Sequence, residues 1–157
     1  MNIRIRPGEP SDAETIALNN AALAAETEIV QLDRERALAG VRAVFDDPSR
    51  GFYLVAEAGG EVVGQLMITY EWSDWRNGVF WWIQSVYVAP DYRRHGVFRQ
   101  LYEHTLGQAR SDPGICGIRL YVEGENSRAQ NTYEKLGMRR TGYQLYEVDF
   151  VLGASNS

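Results

Sequence analysis

The hydrophobic periodicity of the chain changes at Phe52, and this change limits the folds that the sequence can form. Before Phe52 the apolar residues recur at helical spacing in two segments, one after Ser11 and one after Asp33. From Phe52 onward they alternate in strands, and Gly59-Gly60 between two such runs predicts a two-residue hairpin turn. The sequence therefore predicts an antiparallel meander with helices packed on the sheet.

The predicted elements follow one another in the order β-α-α-β-β-β-α-β-α-β. Strands are expected at residues 2–6, 52–58, 62–70, 79–88, 115–122 and 143–151, and helices at a Ser11-x-x-Glu14 capping box, after Asp33, near Gly96 and at Ser127. This order predicts an α/β (α+β) fold with a mixed, mostly antiparallel sheet flanked by about four helices. No repeat or linker interrupts the 157 residues, so a single domain over 1–157 is expected.

Composition excludes several classes of function. A formal net charge of −5 argues against a nucleic-acid partner, which normally faces a basic surface. No apolar run reaches the roughly 18 residues of a membrane span, and the N-terminus lacks the apolar stretch of a signal peptide. Cys116 is the single cysteine, which fits a reducing compartment. We therefore expect a cytoplasmic protein, and the isolated His95 and His104 predict no metal site.

The segment from Val86 to Arg99 carries the strongest functional signal. A strand stops at Pro90, a short basic loop follows, and Gly96 begins an amphipathic helix. The first amides of a helix lack intrahelical acceptors, and the helix dipole adds positive potential there. Glycine lets a ligand approach the backbone closely. The residues alone fit either an anion site or a plain strand–turn–helix with surface arginines.

This loop resembles the acyl-CoA signature of the GNAT acyltransferases. That signature places an Arg or Gln, two variable residues, Gly, one variable residue and a small residue after the fourth strand. Arg93 and Gly96 match it, whereas Phe98 stands where Gly or Ala is usual. We expect the Phe98 side chain to pack under the sheet, which would leave the loop amides directed at a pyrophosphate.

A second stretch, about 30 residues further on, resembles the other half of the same signature. Asn126, Ala129, Tyr133 and Gly137 fall on its four positions. Asn126 would cap a helix or bond the pantetheine arm, and Gly137 would take a left-handed C-cap. Two matching halves in order indicate a GNAT-like protein over nearly the whole chain.

The resemblance implies acetyl-CoA as the cofactor and a set of residues that bind it. In the family, the amide of a bulged residue in the fourth strand polarises the thioester carbonyl, and Val88 is the first choice for that contact here. The implied cofactor-binding residues are Val86, Tyr87, Val88, Arg93, Arg94, His95, Gly96, Val97, Phe98, Arg99, Asn126, Ala129 and Tyr133.

The resemblance also implies that Tyr133 is catalytic and assists departure of the CoA thiolate. A phenol of pKa near 10 and a thiol near 8.5 make full proton transfer about 2 kcal/mol uphill. The site would have to lower the phenol pKa, or a hydrogen bond to the sulfur would suffice. The alternative is a core tyrosine on an amphipathic helix.

The general base is not assigned. Relatives often place a glutamate on the fourth strand, but residues 83–86 contain no carboxylate. Glu26, Glu28 and Glu71 could reach an acceptor, and Asp74 and Glu123 are further candidates. Each of them is equally compatible with a solvated surface acid, and a water relay to a backbone carbonyl is also admissible.

An aromatic cluster marks the third and fourth strands. Trp72, Trp75, Trp81 and Trp82 lie within eleven positions, and alternation predicts Trp81 and Trp82 on opposite faces. The cluster fits a core or dimer contact, or a wall for the substrate. Glu26, Glu28, Glu71 and Trp72 are the predicted substrate residues.

The predicted function is direct transfer of the acetyl group of acetyl-CoA to a primary amine. Acidic residues near the expected entrance favour a small cationic amine as the acceptor. A homodimer is compatible with the aromatic cluster, and no nucleic acid or membrane partner is expected. The alternatives are a non-catalytic acyl-CoA-binding or sensor module, favoured by the missing strand-four carboxylate, and transfer of a longer acyl group.

Overall fold

Five strands form one sheet in the computed structural model, which describes residues 1–153. The strands are β1 (Arg4–Pro7), β2 (Phe52–Ala58), β3 (Glu61–Ser73), β4 (Gly78–Val88) and β5 (Ile115–Arg119). The helices are α1 (Ala13–Thr27), α2 (Arg34–Asp46), α3 (Val97–Arg110) and α4 (Ser127–Lys135). None of the helices in the described residues is long and apolar enough to cross a membrane. The mixed α/β architecture, with five strands and four helices in the described residues, confirms the predicted fold class.

The sheet has the order β1-β2-β3-β4-β5. Its first four strands pair antiparallel, and β5 pairs with β4 in parallel. Gly59 and Gly60 join β2 to β3 with φ values of 57° and 81°, the left-handed conformation that a tight hairpin of this type requires. The chain divides into two compact units, Met1–Tyr121 with the sheet and α1 to α3, and a second unit from Val122 that contains α4.

Three predictions about the elements were wrong. Tyr143–Val151 was expected to be a strand, but this stretch has no strand; at its end the Asp149 carboxylate accepts the amides of Val151 and Leu152 in a local turn. The expected β5 was also too long, since the strand ends at Arg119. The Ser11-x-x-Glu14 box does not begin α1, because Asp12 is its N-cap after a 3₁₀ turn.

Helices cover both faces of the sheet. The Gly64 position faces α3, because a Cβ there would lie 2.8 Å from Cγ1 of Val97. The next residue, Gln65, contacts Asn19 of α1. Successive residues of a strand point to opposite faces, so α1 and α3 lie on opposite sides of the sheet. The core on the α1 side joins both N-terminal helices to β2 and consists of Ala13, Ile16, Ala17, Val41, Tyr53 and Val55.

Close packing at Gly64 determines how near the start of α3 lies to the sheet. Gly64→Ala should lower stability by about 1–3 kcal/mol, because the new methyl group overlaps the buried Val97 side chain. Chemical denaturation measures the change. Gly107→Ala in α3 is the matched control, since a Cβ there meets nothing within 4 Å. That control should gain about 0.5–1 kcal/mol, and equal stability of the two variants would contradict the packing argument.

An ion pair attaches β1 to the turn before α1. Arg6 donates from both terminal nitrogens to the two oxygens of Asp12, at 2.8 and 3.1 Å, and also contacts Glu57. Asp12 accepts the Glu9 amide at 2.8 Å as well. The hydrogen bond from Arg6 lowers the pKa of the Asp12 carboxyl more than its burial raises it. The ionised carboxylate therefore stabilises the fold at neutral pH.

Asp12→Asn should destabilise the fold by about 2 kcal/mol at pH 7, because Arg6 loses its charged partner in a buried setting. A lowered folded-state pKa gives stability that is complete above the unfolded value near 3.9 and lost as the pH falls below it. The difference between wild type and variant should thus shrink below about pH 4 in denaturation series. Asp74→Asn at an exposed turn is the control. A difference that does not change with pH would refute the assignment.

Candidate active site

The loop between β4 and α3 has the backbone geometry of an anion site. Arg94 and Gly96 both adopt left-handed conformations, with φ values of 66° and 76°. Gly96 is the N-cap of α3 and forms no side-chain cap, and a Cβ at this position would meet nothing within 4 Å. Alternating left-handed residues turn successive amides toward a common point, and the helix dipole adds to them. The residues present therefore fit a bound phosphate group.

Arg93 stabilises this loop through contacts with β4 and α1. Its Nε donates to the carbonyl of Val88 at 2.8 Å, and its terminal nitrogen pairs with Glu26 of α1 at 2.9 Å. The guanidinium also lies 5.4 Å from the centre of the Tyr87 ring. Arg93, which matches the signature, thus connects the end of α1 to the end of β4. Its pair with Glu26 also offsets the charge of one predicted substrate residue.

The first turn of α3 places Val97 against the sheet and Phe98 beside Tyr102. Val97, only 2% exposed, packs against the sheet. Phe98 lies one position further round the helix, half-buried, with its ring centre 6.2 Å from that of Tyr102. At about 100° per residue Phe98 lies on the same side of α3 as the buried Tyr102 and Thr105, and its packing under the sheet stays a prediction. The side chains of Arg94, His95 and Arg99 are exposed around the turn.

Strand β4 contains a bulge just before the predicted thioester contacts. Met67 pairs with Gln84 and Gln65 with Tyr87, so β4 has one more residue than β3 between these pairs. Ser85 lies in the bulge with φ 54°, a left-handed conformation that is uncommon outside glycine. The bulge changes the direction in which the following amides point.

Beyond the bulge, two amides of β4 that are predicted to contact the thioester point away from β3. Ala89 donates its amide to Val63 of β3, and amides alternate in direction along a strand. The amides of Val88 and Val86 therefore point to the opposite edge. On that edge the pairing of β4 with β5 covers only Val79–Trp82.

A polar patch lies on the α1 side of β3, β4 and β5. Glu71 accepts the indole N–H of Trp82 at 2.9 Å and pairs with Arg119 at 2.8 Å. The hydrogen bond from Trp82, followed by the contribution of Arg119, lowers the pKa of the Glu71 carboxyl. Beside this pair, Gln84 donates to the Thr69 hydroxyl at 2.5 Å. Glu71 is therefore ionised and is a poor proton acceptor.

The side chains of Trp81 and Trp82 lie on opposite faces of the sheet, as alternation predicts. Trp81 packs edge-on against Phe52, with ring centres 5.2 Å apart, whereas Trp82 contacts Glu71 and has its ring 5.4 Å from Tyr121. Trp72 and Trp75 are 61% and 84% exposed on the β3–β4 hairpin. Glu28, the last predicted substrate residue, is exposed at the end of α1. The substrate role of these residues remains a prediction.

The second unit contains the other half of the signature on α4. Asn126 is the N-cap, and its side chain accepts the Ala129 amide at 3.1 Å. Gly137, with φ 95°, ends the helix in a Schellman motif, since the amides of Gly137 and Met138 donate to Glu134 and Tyr133. Burial raises the pKa of the Tyr133 phenol, so of the two predicted alternatives a lowered phenol pKa does not apply, and a hydrogen bond to the sulfur stays a prediction. Tyr133 is thus a neutral donor at physiological pH.

The family model described as the acetyltransferase (GNAT) family matches residues 17–138. The chain belongs to the GNAT acetyltransferase family. A solved structure of a possible acetyltransferase from Clostridium difficile 630 is 46% identical, with a TM-score of 0.88 and coverage of 96% of this chain and 99% of that one. Family membership confirms the predicted resemblance.

Curated relatives carry related names. An acetyltransferase of Sodalis glossinidius is 36% identical, with coverage of 71% of this chain and 69% of the relative. A mycothiol acetyltransferase of Pseudarthrobacter chlorophenolicus is 33% identical, with coverage of 94% of this chain and 43% of the relative. The chain spans less than half the length of the mycothiol acetyltransferases that it matches.

Sequence reasoning missed several polar residues of this GNAT chain. Thr69 alternates with apolar residues on β3, two positions before the predicted Glu71, which is a readable signal for polar side chains on one face. Arg119 lies in β5 among apolar neighbours, and only the fold brings it to Glu71. Ser85 gives no sequence signal, because serine rarely adopts positive φ.

Proposed function

We propose that this GNAT chain transfers the acetyl group of acetyl-CoA to a primary amine, which attacks the thioester directly. The observation that most supports the proposal is the start of α3, where Gly96 forms an open N-cap after the left-handed Arg94. Amides of the loop and the first turn, including those of Val97 and Arg99, would hold the pyrophosphate. His95 and the side chain of Arg94 would add positive potential, while Arg93 holds the loop in place.

The backbone of β4 beyond the bulge would polarise the acetyl carbonyl. The Val88 amide is the proposed donor, with Val86 beside it, because both point to the edge away from β3. A fixed amide stabilises the negative charge that develops on the carbonyl oxygen during attack. The role needs no particular side chain, which agrees with the two valines at these positions.

Bond changes in the proposed reaction are simple. The ammonium group of the acceptor first loses a proton to water. The neutral nitrogen then forms a bond to the acetyl carbon, the carbon–sulfur bond breaks so that CoA leaves as the thiolate, and the nitrogen loses a second proton to water. Tyr133 is proposed to donate a hydrogen bond to the departing sulfur. Since burial raises the pKa of its phenol, the group stays protonated and ready to donate.

The acceptor is proposed to be a small amine that binds at the polar patch of Thr69, Glu71, Trp82, Gln84 and Arg119. Glu71 stays ionised there and favours a cationic molecule, although Arg119 offsets part of its charge. Relatives named mycothiol acetyltransferases support a small-molecule acceptor. A cytoplasmic location and a homodimer remain predictions.

Gly96→Val should weaken CoA binding at least about tenfold, because its side chain would project where the ligand approaches the amides. Isothermal titration calorimetry with CoA measures the affinity. Gly59→Val is a closely matched control, since Gly59 has φ 57° and equally open surroundings but lies in a hairpin turn. The same affinity in both variants would disprove the proposed pyrophosphate site.

Tyr133→Phe should lower kcat at least about tenfold with little change in the KM for acetyl-CoA, because the departing sulfur loses its donor. A thiol-release assay with acetyl-CoA and a panel of amines measures both constants. Tyr146→Phe is the control, since Tyr146 is 89% exposed in the same unit. Full turnover in Tyr133→Phe would remove the tyrosine from the mechanism. CoA binding without thiol release on any amine would favour the non-catalytic module.

A further inference from the structure

Gln65 is a buried polar residue in the middle of β3. Its exposed fraction is 0%, and its neighbours Gly64 and Leu66 are buried as well. Glutamine in such a place loses its hydration, so the interior has to satisfy its amide. An apolar residue of similar volume would fill the space without this requirement. The position therefore needs a reason beyond packing.

The Gln65 amide is saturated by hydrogen bonds to two elements. Its oxygen accepts the side-chain amide of Asn19 at 3.0 Å. Its nitrogen donates to the side-chain oxygen of Asn20 at 2.9 Å and to the backbone carbonyl of Ser85 at 3.3 Å. A satisfied network of this kind fixes the relative positions of its members, here α1 and the bulge of β4.

Ser85 is the residue in the bulge whose backbone is strained. A left-handed conformation costs a non-glycine residue on the order of 1–3 kcal/mol, and it persists only where its surroundings hold it. The bond from Gln65 satisfies the Ser85 carbonyl in this conformation. Because Gln65 also pairs directly with Tyr87 across the strands, it contacts β4 on both sides of Val86.

We propose that Gln65 is a positioning residue that holds the Ser85 bulge and thereby orients the Val86 and Val88 amides for the acetyl carbonyl. The inference rests on the proposed function for its catalytic consequence. Without the Gln65 donor, Ser85 would relax toward ordinary strand geometry, and the amides beyond it would turn. The cofactor loop after Pro90 would keep its own contacts.

The main test replaces Gln65 with methionine, which has a similar size and no amide. Gln65→Met should lower kcat about 10–100-fold, a part of the loss seen when such a donor is removed outright. The KM for acetyl-CoA should change less than about threefold, since the pyrophosphate site is separate. Exchange of the Tyr87 and Ala89 amides with deuterium should speed up at least about tenfold by NMR.

Two further variants separate positioning from general loss of stability. Thr105→Val removes another fully buried polar side chain, one that bonds only within α3 to Leu101, and should leave kcat and the β4 amides unchanged. Ser85→Gly in the Gln65→Met background should restore most of kcat and of the amide protection, because glycine adopts positive φ without strain.

The outcomes separate this inference from the proposed function. Wild-type protein that releases no thiol with any amine would refute the proposed function, while amide exchange would still test whether Gln65 holds the bulge. An active wild type with kcat and exchange unchanged in Gln65→Met would overturn the inference. A loss of kcat in Gln65→Met no larger than that in Thr105→Val would also overturn it. Unfolding of Gln65→Met that the added Ser85→Gly substitution fails to repair would do the same.

Discussion

At Ser85 strand β4 contains one more residue than β3 opposite it, and the chain accepts a left-handed serine to accommodate the extra residue. If β4 paired regularly with β3 through this point, every second amide of β4 would continue to bond to β3 in one unbroken register. The bulge shifts that register, and it lies where the pairing of β4 with β5 has already ended. One strand thereby supports the core at its beginning and presents backbone donors at its end. Gln65 supplies the hydrogen bond through which α1 takes part in that arrangement.

Arginine side chains in the first unit are largely committed to protein contacts. Arg93 contacts Val88 and Glu26, Arg119 contacts Glu71 and lies 3.7 Å from the centre of the Phe80 ring, and Arg6 is held by Asp12. These pairs connect elements that are distant in the sequence. In the proposed mechanism the anionic cofactor is therefore held mainly by backbone amides, which need no side-chain ordering and suit an acidic protein.

The sequence predicts most of the fold because its signals are local. Alternation, the Gly59-Gly60 turn and the start of a helix after Asp33 each depend on neighbouring residues, and each is confirmed. The wrong predictions concern segments whose structure depends on interactions that a local sequence pattern does not reveal. Tyr143–Val151 alternates like a strand but forms none, and its last residues lie in a turn in which the Asp149 carboxylate accepts the Val151 amide. The contact of Val97 with Gly64, which joins distant segments, is a further feature that no local pattern predicts.

In the candidate site, too, local features could be predicted from the sequence and tertiary contacts could not. Motif spacing identified the loop at Gly96 and the cap at Asn126, since both depend on residues three or four positions apart. Glu71 was singled out for its charge, yet its partners Trp82 and Arg119 become neighbours only when β3, β4 and β5 assemble. Gln65 and Ser85 lie twenty positions apart and carry no motif. Tertiary contact defines their roles.

Two groups proposed for the reaction have pKa values moved away from neutrality. Burial raises the pKa of Tyr133, and the hydrogen bonds of Glu71 lower the pKa of its carboxyl. Each group therefore keeps its ordinary charge near pH 7, one neutral and one negative. A neutral phenol with a raised pKa is a weak acid but a competent hydrogen-bond donor, and an ionised carboxylate in an ion pair orients a ligand better than it removes a proton. The proposed chemistry consequently depends on fixed dipoles and on a neutral amine, and protons exchange with water.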